Sequence, residues 1–492
     1  MFSRLNQTFA FHSSPEAFIS SRLEAMTIDN SELLAPNSPH ERQGVIQASI
    51  LNRNVHIVSS YRLCRAILQH SSSVGGQPSG LVSCLQDTEH VFTVGPAYTQ
   101  LMSAFFPAPN LLLEDGETHA FHKSQWMSQV GKLPSDAAPI VRPIATRLIR
   151  TKLQPDRNID LYNVLKSFSW DCMLGIFLGL DSERDGKAFS EVESAQEDLL
   201  RGQFSLFPVP VATPFWSSAR SKGLKAVSRL QQILTERVHL SHRHGSCPYL
   251  NGHRHINDAT LASHCLLFTS SIVNKAISSL LTAYMLNIFL GKNEGQSLAS
   301  LLRQHPSNNR QAMMRSILLE TERLSPPVIG VMRRVAHDVT LKGAMDGGSP
   351  SIIPAGHDIW LYFSKANRDE MVFKNAGTFV WNRFMKEDSL ESVGLAFGDG
   401  AKSCLGNELV RQICLIVAQE FVDSGIDLTG DIQADGLKAW LGWVPNVDPA
   451  VLARDMKQLP CQRPREPVTV RIRLPPSASD GEESSPHISL HA

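Results

Sequence analysis

Apolar positions recur at helical spacing through most of this chain. Between about 60 and 300 the pattern repeats every three to four residues, as in "DLYNVLKSFSWDCMLGIFLGL" and "GLKAVSRLQQILTERVHL", which predicts a succession of helices with one buried face each. The longest such run, "NDATLASHCLLFTSSIVNKAISSLLTAYMLNIFLG" at about 257–291, predicts one helix that crosses the whole domain at ~1.5 Å per residue. Short β-like runs ("GVIQASI", "NVHIVSS") lie within 36–60, and others ("VTLKG", "SIIPAG", "IWLYFS") lie between about 328 and 363. Two proline-rich breaks, "SLFPVPVATPF" and "RLSPPV", mark loops. No repeat at solenoid periods and no linker divides the middle, so one continuous domain is expected. The prediction is a mainly α fold with a small β region over 36–475, after an N-terminal segment, 1–35, with a first amphipathic helix. The polar tail 476–492, "PSASDGEESSPHISLHA", has little to bury and is expected to be disordered.

Composition narrows the function classes mainly by exclusion. The 492 residues are 42% hydrophobic, enough for a sizeable core. Lys+Arg and Asp+Glu both number 47, and no long run of one sign suggests a nucleic-acid groove. The eight cysteines are scattered without a CxxC pair and read as thiols of a reducing compartment. The start, "MFSRLNQTFAFHSSPEAFISSRLEAM", has neither a signal-peptide core nor a run of roughly 20 apolar residues. A cytoplasmic protein, one peripheral on an intracellular membrane, and a shortened sequence all fit that start.

One stretch carries chemistry. In "FGDGAKSCLG", Phe397 to Gly406, a single cysteine sits in a glycine-rich loop ahead of the apolar helix pattern "NELVRQICLIVAQEFVDSG". A helix N-terminus stabilises a thiolate, and Gly398 and Gly400 allow the backbone to turn tightly against a flat object. Phe397 can lay its ring against that object. One cysteine cannot complete a structural zinc site, so the cofactor must bring its own equatorial ligands, as haem does. Read alone, Cys404 is more simply a buried loop cysteine.

The whole pattern FxxGxxxCxG, at Phe397, Gly400, Cys404 and Gly406, resembles the haem-thiolate loop of the cytochrome P-450 family. Lys402 stands where that family usually has Arg or His to meet a haem propionate. "ETER" places Glu320 and Arg323 three apart on a helix, ordinarily a surface pair. Here "LSPPV", "RRVAHDVTLKG", "IPAG", "KANRD" and "FVWNRF" follow in the family's order, so the resemblance implies a buried network of Glu320, Arg323 and Arg383. It also implies propionate contacts from Arg334, with Arg333 as the second candidate, and from His119 and Lys123 of "DGETHAFHKSQW". For His119 a capped helix start is an equal alternative. The implied fold is a single P-450-type haem domain, and the implied cofactor is heme b (iron-protoporphyrin IX) with Cys404 as metal ligand.

The resemblance breaks on the long helix. The family's acid and alcohol, which order water and deliver protons on the distal side, fall at Ile272 and Val273. Ser270, Ser271 and Asn274 become the candidate proton-handling residues, with hydrogen bonding at a helix bend as the other reading of Asn274. Two activities follow from the resemblance: a monooxygenase hydroxylating or epoxidising a lipophilic molecule in secondary metabolism, or an isomerase or dehydratase acting on a hydroperoxide or endoperoxide without dioxygen. A haem protein that only senses or carries is the third class. Expected pocket residues are Phe105, Phe106, Phe204, Phe207, Val328, Ile329, Trp440 and Trp443, for each of which core packing is the simpler role. No flavin or nucleotide motif is present, so the resemblance implies a monomer fed by a separate NADPH-dependent reductase docking near Lys402 and Arg411.

Overall fold

The computed structural model describes residues 2–29, 45–50, 53–70, 80–84, 91–106, 110–205, 209–244, 247–342, 350–386, 393–430 and 456–473. The expected pocket residues Phe207, Trp440 and Trp443, and the tail, lie outside them. Helices dominate, and their apolar faces meet in one large core to which Leu161–Leu178, Ser271–Leu290 and Asn407–Asp423 contribute most. A second apolar cluster lies under a five-stranded sheet. Its strand order is Val45–Ile50, Arg53–Val58, Asp358–Tyr362, Gly330–Val335, Phe92–Thr93. Asp358–Tyr362 runs parallel to Arg53–Val58, and the other pairings are antiparallel. The mainly α, small-β prediction is met.

The long helix is two helices, Asp258–Phe268 and Ser271–Leu290. Ser270 between them is extended (φ −65°, ψ 148°). Thr269 Oγ1 donates back to Cys265 O at 2.7 Å, a bond that bends helices, and Gln196 Nε2 of the neighbouring helix Gly186–Gln203 takes Leu266 O at 3.1 Å. Cys265 O keeps its own Thr269 amide as well, so it is the Gln196 bond that satisfies a carbonyl, Leu266 O, that a continuous helix would have paired with the Ser270 amide. The two-helix stretch is apolar and long enough to cross a bilayer, yet two thirds of its most apolar window is buried in the core.

Helix Ser307–Leu324 carries the ion pair expected from "ETER". Arg323 donates from Nε and Nη2 to the two Glu320 oxygens, both at 2.8 Å, and its remaining donors reach Asn367 O, Ala376 O and Thr378 O. Arg383 Nε joins Glu320 Oε2 at 3.0 Å, and the Val380 amide reaches Oε1. Glu320 and Arg323 are wholly shielded from solvent (0%), so the pair lives in low dielectric with every guanidinium donor used. Gly394 packs against it so closely that a Cβ there would lie 2.7 Å from Arg323 Cα.

Removing one partner leaves a buried uncompensated charge. Arg323→Met is expected to cost about 3–5 kcal/mol in chemical denaturation, or to abolish folding. A loss below about 1 kcal/mol would show that the pair is solvated in solution.

Candidate functional site

The cysteine loop is set by its own backbone. Gly398 and Gly400 both adopt positive φ (72° and 70°), where a side chain is strained. A turn of 3-10 helix, Gly400–Lys402, follows, and the Cys404 amide closes the loop on Phe397 O at 2.8 Å. Helix Asn407–Asp423 begins just beyond, with Gly406 as its N-cap. Burial pushes the Cys404 thiol up, while the Gly406 amide and the Lys123 and Arg411 cations act to lower it. Yet Cys404 is accessible to solvent.

The cations near this loop come from three elements. Lys402 forms an ion pair with Asp115 (2.7 Å) and donates to Glu114 O at the start of helix Gly116–Val130. Lys123, two turns along that helix, donates to Ala401 O, to Ser403 O at 2.8 Å and to Ser403 Oγ at 3.3 Å. Arg333, on strand Gly330–Val335, is buried within electrostatic reach of Lys402, Asp115 and Tyr98, and its Nε has no hydrogen-bond partner. Neighbouring strand residues face opposite ways, so Arg334 points elsewhere. Its Nε lies 3.0 Å from Asp358 Oδ1 on the paired strand.

These placements redistribute the expected cofactor contacts. Of the two arginines, Arg333 shares the Lys402 site and Arg334 is engaged by Asp358. Lys123 binds the cysteine loop itself. His119 is buried beside Lys402 and Lys123, and burial followed by those two charges lowers its pKa to about 4, so it is neutral at pH 7. Phe397 lies under Arg411, whose guanidinium carbon is 5.2 Å from the ring centre. Arg411 is held by Glu322 (2.8 Å) and Glu408 (2.9 Å). The side chains of Lys402 and Arg411 are only 8% and 12% exposed, so neither is available as the surface cation expected for a reductase.

The same helix links this loop to the helix break. Trp126, one turn beyond Lys123, packs edge-on against Phe268 at 5.3 Å and tilts against His264 at 4.5 Å. At the break, the Ser270 hydroxyl is buried without a hydrogen-bond partner, whereas the buried Ser271 hydroxyl is directed at the Glu197 carboxylate and helps hold it charged. Ser271 lies beside Glu197, whose carboxylate pairs with Lys275 at 2.7 Å and Lys166 at 3.2 Å. Asn274 faces helix Leu161–Leu178: its Nδ2 donates to Lys166 O at 3.3 Å, and its backbone oxygen accepts from Ser169. Its Nδ2 thus takes part in helix packing, while its Oδ1 is buried without a partner. Ile272 and Val273, at the acid and alcohol positions, bring no polar group.

An accessible thiol at a helix start, a glycine-turned loop and a buried guanidinium with a free donor suit a haem-thiolate site. Haem fits the donor set: sulfur for the iron, and Arg333 with Lys402, beside Asp115 and Glu114, for its two carboxylates. A family model described as "Cytochrome P450" matches residues 304–419. "Cytochrome P450 85A" of Phaseolus vulgaris is 24% identical over 64% of this chain and 69% of its own. "Cytochrome P450 85A2" of Arabidopsis thaliana is 37% identical, over 19% of each chain. The fold resembles that of retinoic acid bound cyanobacterial CYP120A1 with a TM-score of 0.63 at 16% identity, over 87% of this chain and 91% of that one. These matches support a member of the cytochrome P450 family, whose standard cofactor is haem b.

Sequence reasoning did not reach Asp115, Tyr98 or Gln196. The adjacent Arg333 and Arg334 could be told apart only by strand register. Arg333→Met is expected to lower haem retention, measured as bound haem per protein, with little change in the stability of the haem-free chain. Arg334→Met should do the reverse, because it strips a buried carboxylate of its nearest cation. His119 supplies a pH test. Its folded pKa, about 4, lies below the unfolded 6.5, so its contribution is intact above pH 6.5 and is lost as pH falls towards 4. His119→Gln should flatten that part of the stability profile by up to about 3 kcal/mol.

Proposed function

We propose that this chain is a haem-thiolate monooxygenase that hydroxylates or epoxidises a lipophilic small molecule, with electrons from a separate NADPH-dependent reductase. The observation that carries the reading is Cys404, accessible at a helix start and flanked by cations that suit two carboxylates. When bound, haem supplies the redox chemistry at its iron. This chain's residues do the rest. Cys404 would hold the iron through its sulfur, and Arg333 and Lys402 would hold the ring through its carboxylates. Ser270, buried with a free hydroxyl at the helix break, can hold a water and pass its proton from Oγ, beside Ser271 on the Glu197 carboxylate. Asn274 anchors the neighbouring helix through Nδ2 and keeps a free Oδ1 that can accept from such a water.

The buried, apolar Phe105, Phe106 and Ile329 are consistent with a lipophilic substrate, as is the retinoic acid named for CYP120A1. A role in secondary-metabolite biosynthesis belongs to the same reading. So does a place in the cytoplasm or at a membrane surface, the latter supported by a hairpin tip where Phe215 is 99% exposed beside Trp216. The dioxygen-independent isomerase or dehydratase is the second reading, and the apolar Ile272 and Val273 favour it.

A reduced, carbon-monoxide-bound spectrum tests the first layer. Wild type should show the red-shifted thiolate Soret band, and Cys404→Ala should lose it; a wild type without the band refutes the haem-thiolate site. Oxygen consumption with NADPH and a generic reductase then separates the readings. Conversion of a lipid hydroperoxide with no oxygen uptake in the coupled assay would favour the isomerase.

A further inference from the structure

We propose that Lys123 is a positioning residue for the axial cysteine: its ammonium clamps the Ala401–Ser403 turn and does not serve as a haem-carboxylate contact. The proposal rests on the haem-thiolate reading. An ammonium has three N–H donors and no acceptor. Lys123 has three acceptors around it, Ala401 O, Ser403 O and Ser403 Oγ, all within the turn that leads into Cys404. No donor is left for a carboxylate. Of the two carboxylates in this cluster, Asp115 is taken by Lys402 and Glu114 by His122.

The two lysines therefore cross. Lys402 reaches from the cysteine loop to the start of helix Gly116–Val130, and Lys123 reaches from that helix back to the loop. The helix end of this exchange is anchored, because Trp126 is buried against Phe268 and His264. A tetrahedral ammonium suits three convergent oxygens, whereas the planar guanidinium fork suits the two oxygens of a carboxylate. Lys123 thus holds the peptide ahead of the sulfur in place and sets a positive charge beside it. Charge and hydrogen bonding around the sulfur are levers on the potential of a ligated iron.

The test uses the haem-loaded full chain and reads spectra and potential. Lys123→Met should begin with the thiolate Soret band in the reduced carbon-monoxide complex, then lose it to the non-thiolate form about tenfold faster than wild type. Its midpoint potential should shift to more negative values. Lys123→Arg restores the charge but not the three-point grip, so its potential should return towards wild type while the faster band loss persists. Ser403→Ala removes one acceptor and should speed band loss by a smaller factor, which keeps the test open if Lys123→Met does not fold. Two results overturn the proposal. One is wild-type potential and band lifetime in Lys123→Met and Ser403→Ala. The other is reduced haem content in Lys123→Met with an unchanged band lifetime in the loaded fraction, the mark of a carboxylate contact. A wild type that never shows the thiolate band fails the haem-thiolate reading instead.

Discussion

The contact on which the rest of the site depends is the bidentate pair between Glu320 and Arg323. A buried ion pair is poor evidence of net stability, since desolvation can consume its Coulomb energy. Its effect here is geometric. Arg323 gathers the carbonyls of Asn367, Ala376 and Thr378, three points on an otherwise irregular segment. Asn367 in turn accepts the Leu395 amide on its Oδ1, and Gly398 N turns back to Leu395 O. Each bond positions the donor or acceptor of the next, so a wholly buried guanidinium fixes where the Cys404 loop begins. The close approach of Gly394 to Arg323 belongs to the same constraint.

The loop's far side is tied differently. Asp399 accepts Arg65 Nε (2.8 Å) and Gln69 from helix Tyr61–His70, and the Lys123 and Lys402 exchange closes it against helix Gly116–Val130. These bonds lie nearer the surface than the Glu320 pair, so each is worth less in isolation. As a set they leave the loop few independent motions. The proximal half of the site is thus a network in which nearly every polar group has a partner, the condition under which such a network rigidifies.

Much of this was legible in the sequence. The Cys404 loop, the Glu320 and Arg323 spacing and the helix-rich pattern each follow from local residue order, and the structure has them where expected. What was not legible depends on pairing between distant segments. Whether Arg333 or Arg334 faces the site depends on the register that sets Arg334 opposite Asp358. Lys123 fits an H-x-x-x-R pattern with Lys for Arg, but what it grips was decided by the nearness of Ala401 and Ser403, nearly 280 residues away in the chain. The helix break needed Gln196, on another helix, to take the freed Leu266 carbonyl. A periodic apolar pattern through 257–291 cannot show a break whose cost is met from outside the segment.

The distal half has the opposite character, and that difference bears on the chemistry. Buried polar atoms in native proteins almost always have partners, so the free Ser270 hydroxyl and Asn274 Oδ1 mark a place for water or for a polar atom of substrate. Ile272 and Val273 supply no acid there. The nearest titratable groups are the Glu197 carboxylate and its partners Lys275 and Lys166. Burial raises Glu197, but Lys275 and Lys166 outweigh it and hold the carboxylate below its usual range. A carboxylate so stabilised is a reluctant proton carrier at neutral pH. The break thus leaves polar atoms of Ser270 and Asn274 unpartnered, whereas the cysteine side is tied at several points.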